Sequence, residues 1–122
     1  MEIIGVGTDI IEIPRIKSAM EKEGFAEKVF TEAERGYIFG KTDFAQTAAA
    51  MFCAKEAAAK ALGTGFRGLS PRDIEILHDT SGAPYVHIPK LSGIKVMVSL
   101  SHCREYACAN AAAVKLSSIG DG

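Results

Sequence analysis

The stretch Asp43–Gly65, DFAQTAAAMFCAKEAAAKALGTG, decides the fold because it predicts one long helix against which the other elements pack. Nine of the eighteen residues from Ala45 to Leu62 are alanine, the best helix former. Asp43 is placed to act as N-cap, and Gly63 is placed to end the helix. Since nearly all side chains of this stretch are small or apolar, we expect the helix to be mostly buried.

Three charged side chains interrupt the second half of this helix: Lys55, Glu56 and Lys60. Charges on a helix built for burial are costly unless they are paired, bind a metal or face a cleft. Glu56 and Lys60 are four residues apart and share one face, so a solvated stripe with one Glu–Lys pair is one interpretation. The other interpretation is that these charges belong to a functional site.

The composition of the chain indicates a single domain. With 122 residues, 48% hydrophobic residues and a net charge of −1, the chain has no overall basic field for nucleic acid. No apolar run reaches membrane-spanning length and the N-terminus lacks a signal-peptide layout, so we expect a cytoplasmic protein without membrane contact. We expect one domain over residues 1–116 and a disordered tail over residues 117–122. The cysteines, odd in number and without zinc spacing, are interpreted as reduced, small hydrophobic residues: Cys53, Cys103 and Cys108.

The N-terminal segment EIIGVGTDIIEI, residues 2–13, predicts a strand that is apolar on both faces. Alternation places Gly5, Gly7 and Asp9 on one face. The two glycines leave that face without side chains, which is typical of close approach by a ligand or by another backbone. A dinucleotide-binding motif is excluded because Ile10 occupies its third glycine position. Taken alone, Asp9 also fits a turn or cap residue near the strand end.

Helices are predicted between this strand and the long helix, and strands after it. Pro14 is expected to open a helix that runs to about Glu23, with Gly24 after it. Thr31 and Glu34 predict a capping box for a further helix through about Phe39. Segregated helices and strands indicate an α+β fold, with a largely antiparallel sheet packed against the long helix. The later strands are predicted near Asp73–His78, Pro84–Ile88, Ile94–Leu100 and Tyr106–Leu116.

The two carboxylates Asp9 and Glu56 come from separate elements and suggest a metal site. Two carboxylates with open remaining positions suit Mg²⁺, which keeps water and substrate phosphates as its other ligands. Lys60, one turn from Glu56, would add positive charge against the same phosphates. Sequence spacing does not show whether Asp9 and Glu56 meet.

The histidines and the glycine-rich stretch leave alternatives open. His102 lies at a predicted strand end. It is a candidate general acid, general base or hydrogen-bond donor to phosphate, and it also fits a turn histidine. His78 and His87 lie on opposite arms of a predicted hairpin, where cross-strand packing accounts for them. The stretch Gly63–Gly68 lacks the closing residues of a Walker loop and fits a C-cap followed by a loop.

Four segments, in order, resemble a known family: GVGTDIIEIPRI, FCAKEAAAKALGTG, SGAPY and VSLSHCREYACA. They resemble the holo-acyl-carrier-protein synthases, the small bacterial class of phosphopantetheinyl transferase, over nearly the whole chain. The resemblance implies Mg²⁺-dependent transfer of 4′-phosphopantetheine from coenzyme A to a serine of apo-acyl carrier protein, in fatty acid biosynthesis, with release of adenosine 3′,5′-bisphosphate. It also implies a homotrimer with active sites at the subunit interfaces.

The resemblance assigns roles to individual residues. The metal ligands of the family fall on Asp9 and Glu56, and the arginine associated with carrier docking falls on Arg15. We expect Arg15 and Lys17 to form a local basic patch for the acidic carrier.

The catalytic and coenzyme-binding residues follow from the same resemblance. Glu56 would accept the serine proton, directly or through a metal-held water. Met51 replaces an arginine common in the family, which weakens the cationic grip on the nucleotide end of coenzyme A. Asp43 and Gln46 stand where basic residues are often present. The catalytic set would be Glu56, Lys60 and His102, and the coenzyme-binding set Lys60, Gly63, Gly65 and His102.

A non-catalytic α+β module that binds coenzyme A or an acyl carrier protein is the alternative. Such a module would not need Asp9, Glu56 and Lys60 together, so their joint presence favours the enzyme. A purely structural subunit would leave the charges of Lys55, Glu56 and Lys60 without a role.

Overall fold

The computed structural model describes residues 1–63 and 68–117, and helix α4 (Phe44–Leu62) forms its centre. Both predicted ends of this helix are confirmed. The Asp43 Oδ1 atom accepts a hydrogen bond from the Gln46 N–H at 3.1 Å, and Gly63 follows the last turn with φ of 74°. The other elements are β1 (Glu2–Glu12), α1 (Ile13–Met20), α2 (Phe25–Val29), α3 (Glu32–Phe39), β2 (Glu75–His78), β3 (Pro84–His87), β4 (Ile94–His102) and β5 (Tyr106–Lys115).

The strands form two antiparallel sheets. The predicted α+β fold is confirmed, but its strands are divided between two sheets rather than forming one. Strands β1, β5 and β4 form a three-stranded sheet in that order, and β2 pairs with β3 as a separate hairpin. One face of the larger sheet packs on α4 through alternate alanines of β5, from Ala107 to Ala113, all of which are buried. None of the helices in the described part of the chain is long and apolar enough to cross a membrane.

The glycines of β1 are required by the backbone of α4. A Cβ atom added to Gly5 would overlap the carbonyl group of Ala61, and one added to Gly7 would overlap the carbonyl oxygen of Ala57. The close approach predicted from the bare face of the strand is therefore made by another backbone. This contact brings the strand that carries Asp9 directly against the helix that carries the charged residues.

The opposite face of the larger sheet is apolar and exposed. Val6 and Ile10 of β1 are 73% and 66% exposed, and Met97 of β4 is 46% exposed. The strand β1 is therefore apolar on both faces, as predicted, but only one face is covered within the chain.

Several element boundaries differ from the prediction. Helix α1 ends at Met20 rather than near Glu23, because i→i+3 bonds such as Lys22 N–H to the Ala19 carbonyl tighten the chain there. Gly24, with φ of 84°, begins α2 instead of ending α1. The turn lets Phe25 pack against the core.

The capping-box prediction for α3 is confirmed, since Thr31 and Glu34 exchange both hydrogen bonds. Strand β2 starts at Glu75 rather than Asp73 because Pro71–Asp73 form a 3₁₀ turn. The predicted disordered tail lies outside the described residues except for Ser117.

The histidines of the hairpin have different partners. His87 lies opposite Glu75 across the hairpin, and its Nδ1 atom lies 3.2 Å from Glu75 Oε1, as cross-strand packing predicts. His78 instead stacks on Tyr37 of α3, with ring centroids 3.8 Å apart and an interplanar angle of 4°. The hairpin is therefore fixed to α3 by an aromatic contact.

Candidate active site

Asp9 lies within β1, opposite Ala109 of β5, and is not a turn or cap residue. The Lys60 Nζ atom donates to the Thr8 carbonyl oxygen at 2.9 Å and lies 3.4 Å from Asp9 Oδ1. Lys60 thus pairs with Asp9 rather than with Glu56, the partner that helical spacing suggested. Because the Lys60 side chain is 55% exposed, this ion pair is weak and its ammonium keeps an open side toward solvent.

Asp9 and Glu56 line one cavity of about 400 Å³. Asp9 reaches it from β1, the half-buried Glu56 from α4, and Arg15 from α1. The structure therefore brings together both predicted metal ligands and the predicted docking arginine, which are distant in sequence. The rest of the lining is mostly apolar: Ile10, Ile11, Ile16, Ala19, Phe25 and Phe52.

Cys53 lies one helical turn before Glu56 and is fully buried. Its thiol donates to the Ala107 carbonyl oxygen at 3.4 Å. Burial raises the pKa of the Cys53 thiol to about 12, and the carboxylate of Asp9 contributes to the same increase. The thiol therefore stays neutral near pH 7 and adds no negative charge beside the two carboxylates. The apolar pattern of the helix predicts that Cys53 is buried, but its contact with the site has no local signal in the sequence.

The donor atoms of this cavity suit a hard divalent cation. Mg²⁺ is usually bound through one or two carboxylates, with water and substrate phosphates as its remaining ligands. In residues 1–63 and 68–117, no group of three or more His, Cys, Asp or Glu side chains is placed to hold a metal ion. Asp9 and Glu56 at an open cavity fit the two-carboxylate arrangement.

Lys55 does not belong to this cavity, which corrects its grouping with Glu56 and Lys60. Its side chain is 1% exposed and its Nζ atom lies 2.8 Å from Glu34 Oε1. Burial lowers the pKa of the Lys55 ammonium, and the adjacent Glu34 carboxylate opposes that shift. The partner residue is 21 positions away in sequence, so helical spacing could not identify it.

The basic residues of α1 divide between two surfaces, so the single patch predicted from Arg15 and Lys17 is wrong. Arg15 lines the cavity of Asp9 and Glu56, whereas Lys17 lines a separate groove of about 580 Å³ with Arg104. Side chains two positions apart on a helix are rotated by about 200° around its axis. Only Arg15 is therefore placed to act beside the predicted metal ligands.

The predicted coenzyme-binding residues lie at the ends of elements. Gly63 is exposed just after α4, three positions beyond Lys60. Gly65 lies outside the described residues. His102 is exposed at the end of β4 and lines two other cavities, of about 340 and 300 Å³. Among the described residues of one chain, His102 is not part of the lining shared by Asp9 and Glu56.

The sequence and the fold match a known class of transferase. Residues 5–111 match the family model of the 4′-phosphopantetheinyl transferase superfamily. The chain belongs to this superfamily. That membership favours the enzyme over the non-catalytic module.

The similar proteins narrow the class to the family that the sequence motifs indicated. The chain is 44% identical over 118 residues to the holo-[acyl-carrier-protein] synthase of Fusobacterium nucleatum, covering 89% of this chain and 97% of that protein. It is 46% identical over 122 residues to the holo-[acyl-carrier-protein] synthase of Chlamydia pneumoniae, covering 93% of this chain and 99% of that protein. The predicted resemblance to holo-acyl-carrier-protein synthases is thereby confirmed.

Solved structures support the same conclusion. The holo-(acyl-carrier-protein) synthase of Bacillus anthracis, crystallised in complex with CoA (3′,5′-ADP), matches with a TM-score of 0.83 at 36% identity, over 96% of this chain and all of that one (100%). The enzyme of Neisseria meningitidis matches with a TM-score of 0.81 at 34% identity, over 93% of this chain and 99% of that one.

Proposed function

We propose that this enzyme transfers 4′-phosphopantetheine from coenzyme A to a serine hydroxyl of an apo-acyl carrier protein, in fatty acid biosynthesis, and releases adenosine 3′,5′-bisphosphate. The observation that carries the proposal is the cavity shared by Asp9 and Glu56, with Lys60 paired at its edge. The coenzyme complex of the Bacillus anthracis relative supports coenzyme A as the donor. The names of the relatives support a carrier protein as the acceptor.

Asp9 and Glu56 would hold one Mg²⁺ ion between β1 and α4. When bound, this ion neutralises charge on the pyrophosphate oxygens of the coenzyme. Backbone pairing of Asp9 with Ala109 fixes the first ligand, and the alanine-rich helix fixes the second. Two ligands on separate, closely packed elements form a site that is set before the substrate binds.

Lys60 and Glu56 perform the remaining chemistry. Phosphoryl transfer depends mainly on alignment and charge stabilisation. The Lys60 ammonium binds a phosphate oxygen on the side that it now presents to solvent. A Glu56 carboxylate oxygen accepts the serine proton as the serine oxygen bonds to the phosphorus next to pantetheine. The bond from that phosphorus to the bridging oxygen breaks, and the electron pair leaves with adenosine 3′,5′-bisphosphate.

The carrier would dock over Arg15. This residue lines the cavity of the metal ligands, so a carrier paired with its guanidinium presents its serine to the reacting phosphate. The net charge of the chain is only −1, so an acidic carrier would be recognised by this local cation rather than by an overall field.

The functional assembly would be a cytoplasmic homotrimer. The exposed apolar residues Val6, Ile10 and Met97 lie on one face of the larger sheet, and packing against a second copy would remove that surface from water. His102 lies outside the cavity of Asp9 and Glu56 within its own chain. We therefore place its coenzyme contact at a site completed by subunit packing.

Mass spectrometry of the carrier tests the proposed reaction. The purified enzyme is incubated with coenzyme A, Mg²⁺ and apo-acyl carrier protein. We expect the carrier to gain the mass of one phosphopantetheine group and adenosine 3′,5′-bisphosphate to accumulate in equal amount. A carrier in which the acceptor serine is replaced by alanine is the matched control. An unchanged carrier mass with the unmodified acceptor would contradict the proposal.

A further inference from the structure

Lys55 is anchored by three acceptors from outside its helix. Its Nζ atom donates to Glu34 Oε1 at 2.8 Å and to the carbonyl oxygens of Pro71 and Ile74 at 2.7 Å each. An ammonium group has three protons, so this lysine has a full set of hydrogen bonds. It fixes α4 to the 3₁₀ turn that precedes β2.

Glu34 extends the same network to α3 and β2. Its Oε1 atom accepts from the Thr31 N–H at 2.8 Å as well as from Lys55, and its Oε2 atom accepts from the Ile76 N–H at 2.8 Å. Glu34 is fully buried. The pair Lys55–Glu34 therefore joins four segments that are separate in sequence: α3, α4, the 3₁₀ turn and β2.

Stability alone does not explain this pair. Removing two charges from water costs several kcal/mol per ion before their attraction repays it, and apolar residues of similar volume are often as good or better. A buried pair with a full set of hydrogen bonds holds the segments around it in a single arrangement.

The neighbours of Lys55 include a residue of the candidate active site. Glu56 follows it directly, about 100° around the helix. The opposite restraint on α4 is its contact with Gly5 and Gly7 of β1. The helix is therefore held from two sides, and its rotation sets the direction in which Glu56 points. In sequence, the segment Pro71–Asp73 that Lys55 holds also lies shortly after the predicted coenzyme-binding glycines Gly63 and Gly65.

We propose that the Lys55–Glu34 pair is a positioning element for coenzyme binding and transfer, which fixes Glu56 on α4 and the chain that follows Gly68. This inference rests on the proposed function, and Lys55 itself contacts no substrate. Misplacing Glu56 lowers kcat, which both substrates share, whereas Arg15 lies on α1, outside the pair, so carrier docking is kept. Loss of the pair should therefore lower kcat and leave the KM for the carrier nearly unchanged.

Two variants separate positioning from stability. The double variant Glu34→Leu with Lys55→Met replaces the pair by apolar side chains, so no buried charge is left uncompensated, while the Ile74 carbonyl and the Ile76 N–H lose their partners. Glu34→Asp keeps the charge but, one methylene shorter, does not reach both Lys55 and Ile76. Lys90→Met is the matched control, because Lys90 contacts Asp73 of the same turn at 3.2 Å with a 62% exposed side chain.

The measurements are the melting temperature, coenzyme A affinity by calorimetry, and kcat and KM for each substrate. We expect the double variant to fold but to melt below the wild-type temperature, because buried backbone groups lose their hydrogen bonds. In both pair variants we expect kcat/KM for coenzyme A to fall about ten-fold or more, since small misplacements are costly in transfer reactions. The KM for the carrier should stay within about two-fold, and Lys90→Met should behave as wild type.

The inference is overturned if a folded pair variant keeps wild-type kinetics and coenzyme affinity. It is equally overturned if neither pair variant folds, because the pair would then serve stability. Wild-type enzyme that transfers nothing contradicts the proposed function instead, and that result is visible before any variant is compared.

Discussion

Gly7 of β1 lies so close to the carbonyl oxygen of Ala57 in α4 that no side chain fits between them. The distance between these two elements is thus set by the absence of a Cβ atom. Since Asp9 follows two residues after Gly7, and Glu56 immediately precedes Ala57, this backbone contact also sets the separation of the two carboxylates. The fold and the site depend on the same contact.

Gly7→Ala should therefore destabilise the protein strongly. The added methyl group overlaps backbone atoms of α4, so the strand and helix have to move apart, at a cost of about 1–3 kcal/mol or more. Urea unfolding measures the change. Gly36→Ala is the matched control, because a Cβ atom at Gly36 of α3 meets nothing within 4 Å and should stabilise that helix by roughly 0.5–1 kcal/mol. Equal stability of the two variants would contradict the packing described.

The two cations of α1 should have separate effects on the carrier. Arg15→Glu places a carboxylate beside Asp9 and Glu56, and we expect the KM for the carrier to rise at least about ten-fold, with weaker salt dependence of the rate. The KM for coenzyme A should change little. Lys17→Glu makes the same charge change in the separate groove and should affect the carrier less. A shift in the KM for coenzyme A with Arg15→Glu would instead make this residue a nucleotide contact.

His78 should make stability depend on pH. Burial lowers the pKa of its imidazole, and Lys41 lowers it further, while Asp79 acts in the opposite direction. The unfolded histidine takes up a proton below its ordinary pKa of 6.5, whereas the folded one resists it. Stability is therefore full above that pH and is lost as the pH falls toward the folded pKa.

Urea unfolding at pH 7.5 and 5.5 tests this dependence. Because His78 is only partly buried, we expect a loss of no more than about 1 kcal/mol. His78→Phe keeps the stack on Tyr37 without a titrating group and should remove this part of the pH dependence. An identical pH dependence in the variant would show that other groups are responsible.

The exposed face of the larger sheet should hold three copies together. Light scattering is expected to report a trimer, and Val6→Glu should shift it toward monomer with loss of activity, because a charge would be buried in the interface. Tyr85→Glu is the matched control, since Tyr85 is also exposed, at 48%, but lies on the separate hairpin. A fully active wild-type monomer would contradict the interface model.

Local signals in the sequence predicted local structure well. The N-cap at Asp43, the capping box of Thr31 and Glu34, and the two faces of β1 each depend on residues within a few positions of one another. The pairing of Lys55 with Glu34 and the stacking of His78 on Tyr37 join distant segments. Neither has a local pattern, so the sequence did not reveal them.

The difference between local signals and contacts of distant segments also applies to the candidate site. Asp9 and Glu56 were recognisable as candidates because each carboxylate stands in apolar or glycine-rich surroundings. Their common cavity depends on how closely β1 approaches α4. Arg15 and Lys17 lie about 200° apart on α1, as their spacing implies. The sequence did not show that Arg104, between β4 and β5, lines the same groove as Lys17.

The initial rate of carrier modification as a function of Mg²⁺ concentration, in wild type and in Glu56→Gln, tests the central claim most directly. Glutamine keeps the size of the side chain but removes the charge that would hold the metal. We expect wild-type activity to disappear with EDTA and return with Mg²⁺. We expect Glu56→Gln to lose about 100-fold or more at every Mg²⁺ concentration while its melting temperature stays near that of wild type. Wild-type rates in Glu56→Gln, or full activity in EDTA, would contradict the account.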